Sequence, residues 1–281
     1  MYINYCIYQN RSLNKIKENT VKERAQQYFL DLYTQYQMPC HMDFTDLVSN
    51  YEKLWMRCFA SKKIKNCLKE ASYILFPSWG VVLDSDFAVP ELYFKEKFEW
   101  SASILDIRDC GRLCVFYAVH LLLAMQSSED LFRGICCTVE DRLPIAHKKN
   151  SAVYPEIDYA GFLSLSNQVN NDTRFKIQFC DIFNHRNKLD ISAVFEFCVE
   201  AVIESFNLSA HSYVIYINNV RIEKKHYPVF TIFYPTSSGF LYYAVNSILN
   251  NLSLEHAEYI VFMDIDILMA LTGVLLIQKV G

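Results

Sequence analysis

Along the chain, short continuous apolar runs alternate with longer stretches at helical spacing, the pattern of an α/β protein whose strands are covered on both faces. Tyr2–Tyr8 reads as a first strand, followed from Asn10 to His41 by a polar, helix-permissive stretch in which Lys15–Arg24 forms a solvated face. Asp43–Lys69 reads as helix, entered at Asp43 or Thr45 as N-cap. Tyr73–Phe76 is a strand closed by Pro77-Ser78-Trp79-Gly80, and Phe87–Trp100 a short helix with a loop. The stretch Asp106–Met125 stands out. Ile104-Leu105 reads as the end of a buried strand, Cys110-Gly111 as a sharp turn, and the segment through Met125 is apolar on every face, as a helix sunk in a core must be. Phe132–Thr138 is a strand, Glu140–Asp158 a long polar loop, and Ala160–Leu165 another strand.

After the polar Asn167–Thr173 the pattern starts again: strand Phe175–Phe183, helix Ile191–Phe206, strand Tyr213–Ile217, turn Tyr234–Gly239, buried helix Phe240–Leu249, then strands Tyr259–Phe262 and Gly273–Ile277. Phe116-Tyr117-Ala118-Val119 answers Tyr242-Tyr243-Ala244-Val245, and the strand after Gly161 answers the strand after Gly273. The chain thus divides into two related halves, residues 1–168 and 169–281. Such a duplication suits a layered α/β fold in which two buried helices meet at the centre.

Composition narrows the functions. The 281 residues are 52% hydrophobic, enough for a sizeable core. A net charge of −4 argues against a general nucleic-acid surface. Ten cysteines without a Cys-x-x-Cys pair, in a chain without a leader pattern, fit a reducing cytoplasm and buried structural thiols rather than zinc. Tyr259–Ile277 carries Asp264 and Asp266 near its middle, which a membrane span would find costly, so it reads as two strands and a turn. Those carboxylates lack a third ligand at suitable spacing, so no metal is expected, and no cofactor either. The low glycine count, 7, leaves few places for backbone to approach an oxyanion. Strand, turn and buried helix nonetheless form the elbow on which several α/β enzymes present a nucleophile, with Cys110 the candidate here.

The order of elements, the duplication and the elbow resemble the thiolase fold, specifically ketoacyl synthase III-type condensing enzymes, over residues 43–281. Asp158-Tyr159-Ala160-Gly161-Phe162-Leu163 resembles that family's glycine-rich strand, Asn207–Val220 its helix-to-strand passage before the catalytic histidine, and Thr236-Ser237-Ser238 the segment bearing its asparagine. The resemblance implies two pseudo-repeated halves in an αβαβα sandwich and a chemistry of cysteine, histidine and asparagine. Carried over, the cysteine position falls on Gly111, the histidine on Ile217 and the asparagine on Pro235, while the family's glycine-rich loop reads Ile265-Asp266-Ile267-Leu268-Met269. With the elbow Asp106-Ile107-Arg108-Asp109-Cys110, this resembles the short, non-catalytic subunit of heterodimeric alkylquinolone synthases.

That resemblance implies a cytoplasmic pseudo-enzyme in specialised-metabolite biosynthesis, paired as heterodimer or heterotetramer with a full-length, cysteine-bearing ketosynthase III-like subunit that handles acyl-coenzyme A or acyl carrier protein. Strand Phe132–Val139 is the expected sheet edge for pairing, and loop Glu140–Asp158 the segment that reaches the partner's pocket. The rival is an active acyltransferase using Cys110, with Asn218, Asn219 or His226 moved in to help. Elsewhere, His120 reads as a core histidine with one satisfied ring nitrogen, and Arg108 with Asp109 as a local ion pair filling the former site. His147-Lys148-Lys149 is either a carrier or coenzyme contact or a solvated loop.

Overall fold

The computed structural model describes residues 1–10, 55–56, 59–78, 90–108, 110–126, 130–140, 159–171, 173–185, 190–209, 211–220, 222, 227–235, 238–250, 257–267 and 269–280. The expectations for Lys15–Arg24, Asp109, His147-Lys148-Lys149 and His226, and for nearly all of the loop Glu140–Asp158, lie outside these residues.

The first half runs β1 (Tyr2–Asn10), α1 (Lys62–Lys69), β2 (Tyr73–Pro77), α2 (Pro90–Phe98), β3 (Ser103–Ile107), a 3-10 turn (Gly111–Leu113) into α3 (Cys114–Met125), β4 (Arg133–Glu140) and β5 (Tyr159–Ser166). The second runs β6 (Phe175–Asn184), α4 (Ile191–Phe206), β7 (Tyr213–Asn218), β8 (Val229–Ile232), α5 (Phe240–Asn250), β9 (Tyr259–Asp266) and β10 (Leu271–Lys279). Among the described residues the strands order as β3-β2-β4-β5-β1-β6-β10-β9-β7-β8. In both halves the last strand lies antiparallel between the first and fourth, while the second, third and fourth run parallel. Among the described residues the two halves of the sheet are joined by β1 and β6, paired at Tyr2 opposite Lys176 and Ile3 opposite Phe175.

Strand alternation sorts the side chains into layers. On β9, Ile260 and Phe262 join the central core while Val261, Met263 and Ile265 join an outer one. The central core holds α3 and α5, each packed on strands of both halves. One outer core gathers α1, Trp55, Phe59 and Phe94 over β2, β4 and β5; the other gathers α4 over β7, β9 and β10. The result is the expected αβαβα sandwich. Among the described residues no helix is long and apolar enough to cross a membrane.

Two expectations need correction. β4 is interior, hydrogen-bonded to β2 and β5, so it offers no edge to a partner. The open edges belong to β3 and β8. β3 is not buried either: Leu105 is 37% exposed. Helix α4 follows its sequence closely. Asp190 caps it, accepting a hydrogen bond from Ser192 N–H at 3.1 Å, and Asn207 ends it in the left-handed conformation. Asp190→Ala should therefore lower stability by about 1 kcal/mol, the usual worth of an N-cap, as read from the midpoint of urea unfolding.

Candidate functional site

The site lies where the parallel strands of both halves end and the two central helices begin. Gly111, the residue expected at the nucleophile position, has φ 56°, a left-handed conformation that a residue without Cβ adopts at no steric cost. It is buried and opens the 3-10 turn into α3, so this position itself carries no nucleophilic side chain. Cys110, one residue earlier, is half-buried, and its thiol donates to the Arg108 carbonyl of its own loop at 3.4 Å. Cys114, the first residue of α3, is fully buried; burial foremost, and the Glu140 carboxylate next, push its thiol far above the ordinary range.

Arg112 reaches across to the second half. Its Nη2 donates to Asp264 Oδ1 at 2.5 Å and also to the Ile265 carbonyl. Asp264 faces the central layer of β9, beside Asn218 on β7, whose Nδ2 donates to the same Oδ1 at 3.1 Å. The carboxylate is completely buried, which raises it to about 6, with Arg112 and Asn218 opposing. The ion pair seen at the site among the described residues is Arg112–Asp264; Arg108 pairs with Asp106 at the half-exposed end of β3.

The start of α5 is filled similarly. Glu140, at the end of β4 and 2% exposed, accepts from the hydroxyl and the backbone N–H of Ser238, two residues before the helix. Tyr159 and Ser238 share a 2.5 Å hydrogen bond. Helix N-termini favour negative charge, and in a condensing enzyme that preference serves the developing oxyanion. Here resident carboxylates stand at both entrances. A substrate oxyanion would find the donors there already engaged, the Ser238 N–H by Glu140 and the Arg112 guanidinium by Asp264.

The other positions resolve one by one. Ile217 is buried in the outer core and points away from the site; Asn218 next to it points in. Pro235 is exposed. Asn219 is left-handed, its amide donating to the Tyr234 carbonyl. Asp266 Oδ1 accepts from Met269 N–H at 3.1 Å, tying down the β9–β10 turn. His120 is no core histidine: half its side chain is exposed, although Nδ1 does meet the Cys180 carbonyl at 2.8 Å. Sequence reasoning missed Arg112, Glu140 and Ser238. The signal for Arg112 was a charged residue at the mouth of an otherwise apolar helix, which needs a buried partner.

No protein-family model and no curated protein matches the sequence. Solved structures do match. ChlB3, described as an acyltransferase, superposes with TM-score 0.64 at 10% identity, covering 100% of this chain and 98% of its own. AbyA1, described as a tetronic acid condensing enzyme, superposes with TM-score 0.60 at 7% identity, covering 99% of each. The chain therefore has the thiolase-like fold that these two proteins share.

Proposed function

We propose that this chain is the non-catalytic subunit of a heterodimeric ketosynthase III-like condensing complex in specialised-metabolite biosynthesis, of the kind that PqsB represents in alkylquinolone synthesis. The observation that supports the reading is the buried Arg112–Asp264 ion pair, beside the Gly111 expected to match the acyl-accepting cysteine. The matched positions Gly111, Ile217 and Pro235 bear no thiol, imidazole or carboxamide, and the Asn218 amide that does face the centre is held by Asp264. The chemistry then resides in the cysteine of a full-length partner, which takes the acyl group from coenzyme A or a carrier protein. This chain stabilises that partner and shapes its acyl pocket. β3 is the edge suited to pairing, with its open backbone groups and half-exposed Leu105 and Ile107. A stable pairing of this kind buries roughly 2,000 Å² or more.

The test follows from the rival, an acyltransferase using the half-buried Cys110. Acylation would require that thiolate to attack the acyl-coenzyme A carbonyl, form a thioester and release coenzyme A as thiol. Intact-mass analysis of the chain incubated with acyl-coenzyme A should show no added acyl mass. An adduct lost in Cys110→Ala would reject the proposal. Co-expression with a cysteine-bearing condensing subunit should restore acylation, on the partner alone.

A further inference from the structure

A second feature lies on the outer face of the first half, at the far end of β4 from Glu140 and about 23 Å from it at the usual rise per strand residue. There a cavity of about 160 Å³ opens between α1 and the ends of β1, β4 and β5. At Ser164 its floor is polar where the duplicated half is apolar. Counting from the matched glycines, Ser164 stands where the second half has Leu276, which is fully buried in the outer core containing α4. Ser164 and Ser166 are themselves buried, at 8% and 4% exposure, and both face the cavity. A leucine would close this layer; the serine leaves space and a hydroxyl.

The walls carry two cations, Lys63 and Arg133, and one carboxylate, Glu70. Lys63 lies 4.2 Å above the Tyr5 ring, and Arg133 stands opposite, paired with Glu70. Outside the cavity, α1 carries Lys62, Lys65 and Lys69 as well, with no acidic residue in its first turn. Lysines at the N-terminus oppose the helix dipole, and Lys62 with Lys65 and Lys65 with Lys69 repel at helical spacing. A chain of net charge −4 thus concentrates positive charge on one short helix at some expense to that helix. Such local conflict marks function more often than accident.

We infer that this cavity binds the oxyanion group of a small metabolite, a carboxylate or a phosphate ester, held by Lys63 and Arg133 over the Ser164 floor and drawn in by the α1 lysines. The site is separate from the condensing-type centre and does not depend on how that centre is read.

Isothermal titration of the full chain at low salt, with inorganic phosphate in one series and succinate in another, tests it and tells the two sources apart. Saturable binding of at least one anion is expected. Lys63→Gln should weaken it about tenfold, the worth of one charge-assisted hydrogen bond. Ser164→Leu, which installs the residue of the duplicated half, should abolish it with the thermal midpoint retained. Lys279→Gln, on the last strand, should leave it unchanged. Absence of saturable binding to either anion, or affinities within threefold of wild type in both Lys63→Gln and Ser164→Leu, would overturn the inference; Lys63→Gln alone decides if Ser164→Leu does not fold.

Discussion

Arg112→Ala should destabilise the chain by about 3–5 kcal/mol at pH 7, as is typical when one partner of a buried ion pair is removed. The reason is the carboxylate left behind. Asp264 is completely buried, and Arg112 is the largest influence opposing the effect of that burial. Even in the native pair Asp264 is raised from 3.8 to about 6. The folded state therefore holds this proton more tightly than the unfolded chain. The stabilisation this brings is fully present below about pH 4 and is lost as pH rises through 6, an effect of about 3 kcal/mol across that window. Without Arg112 the carboxylate rises further, so the deficit of Arg112→Ala should shrink on acidification, beginning above pH 6. Urea unfolding at pH 7.5 and pH 5.5 measures both parts. A deficit equal at the two values would mean that Asp264 does not carry the effect.

The double variant Arg112→Met with Asp264→Leu should behave differently. Arg112 Nε, Asp264 Oδ2 and Asn218 Oδ1 are buried without a hydrogen-bond partner among the described residues, so the pair is incompletely satisfied. Replacing such a pair by apolar side chains of similar volume is often neutral or stabilising. The double variant should thus recover most of what either single change loses, falling short of wild type by about 1–3 kcal/mol because the buried Asn218 amide loses its Asp264 acceptor. A chain that kept this pair for catalysis would have to hold substrate beside it. A chain that keeps it as a plug needs only the volume.

What the sequence discloses about this fold is what hydropathy can report. The unbroken apolar run Val115–Val119 marked a central helix, and its match to Tyr242–Val245 disclosed the duplication. Hydropathy fails where two faces or two edges must be told apart. β4 is apolar because both its faces are covered, yet a partner's strand would need a free hydrogen-bonding edge, about which side chains say nothing. β8 escaped notice because it is four residues long, at the sheet's rim and only partly buried. At the site a single residue of strand parity decides everything: Ile217 faces the outer core and Asn218 the centre. Arg112 and Asp264 are 152 residues apart, and only the closure of one half on the other brings them together.

Gly161→Ala and Gly273→Ala should each cost 3 kcal/mol or more, beyond about 1–3 kcal/mol for ordinary overpacking, because the methyl group has nowhere to go. A Cβ at Gly161 would lie 2.2 Å from Cδ2 of Tyr242, and one at Gly273 2.6 Å from Cγ of Phe116. Both rings are fully buried on the central helices, and protein interiors at crystalline density do not yield by an ångström. The two contacts are one contact repeated: each half's last strand bares its backbone to the aromatic ring of the other half's central helix, and Phe116 and Tyr242 are the first residues of the matched tetrapeptides. This is why so glycine-poor a chain retains these two. The rescues should be correspondingly specific. Phe116→Leu should recover much of the loss in Gly273→Ala and none of that in Gly161→Ala, whereas Tyr242→Leu should do the reverse, less the hydrogen bond its hydroxyl shares with Thr138. A double-mutant cycle by chemical denaturation reads the coupling directly, and rescue across the wrong pair would show that the halves are not built on one plan.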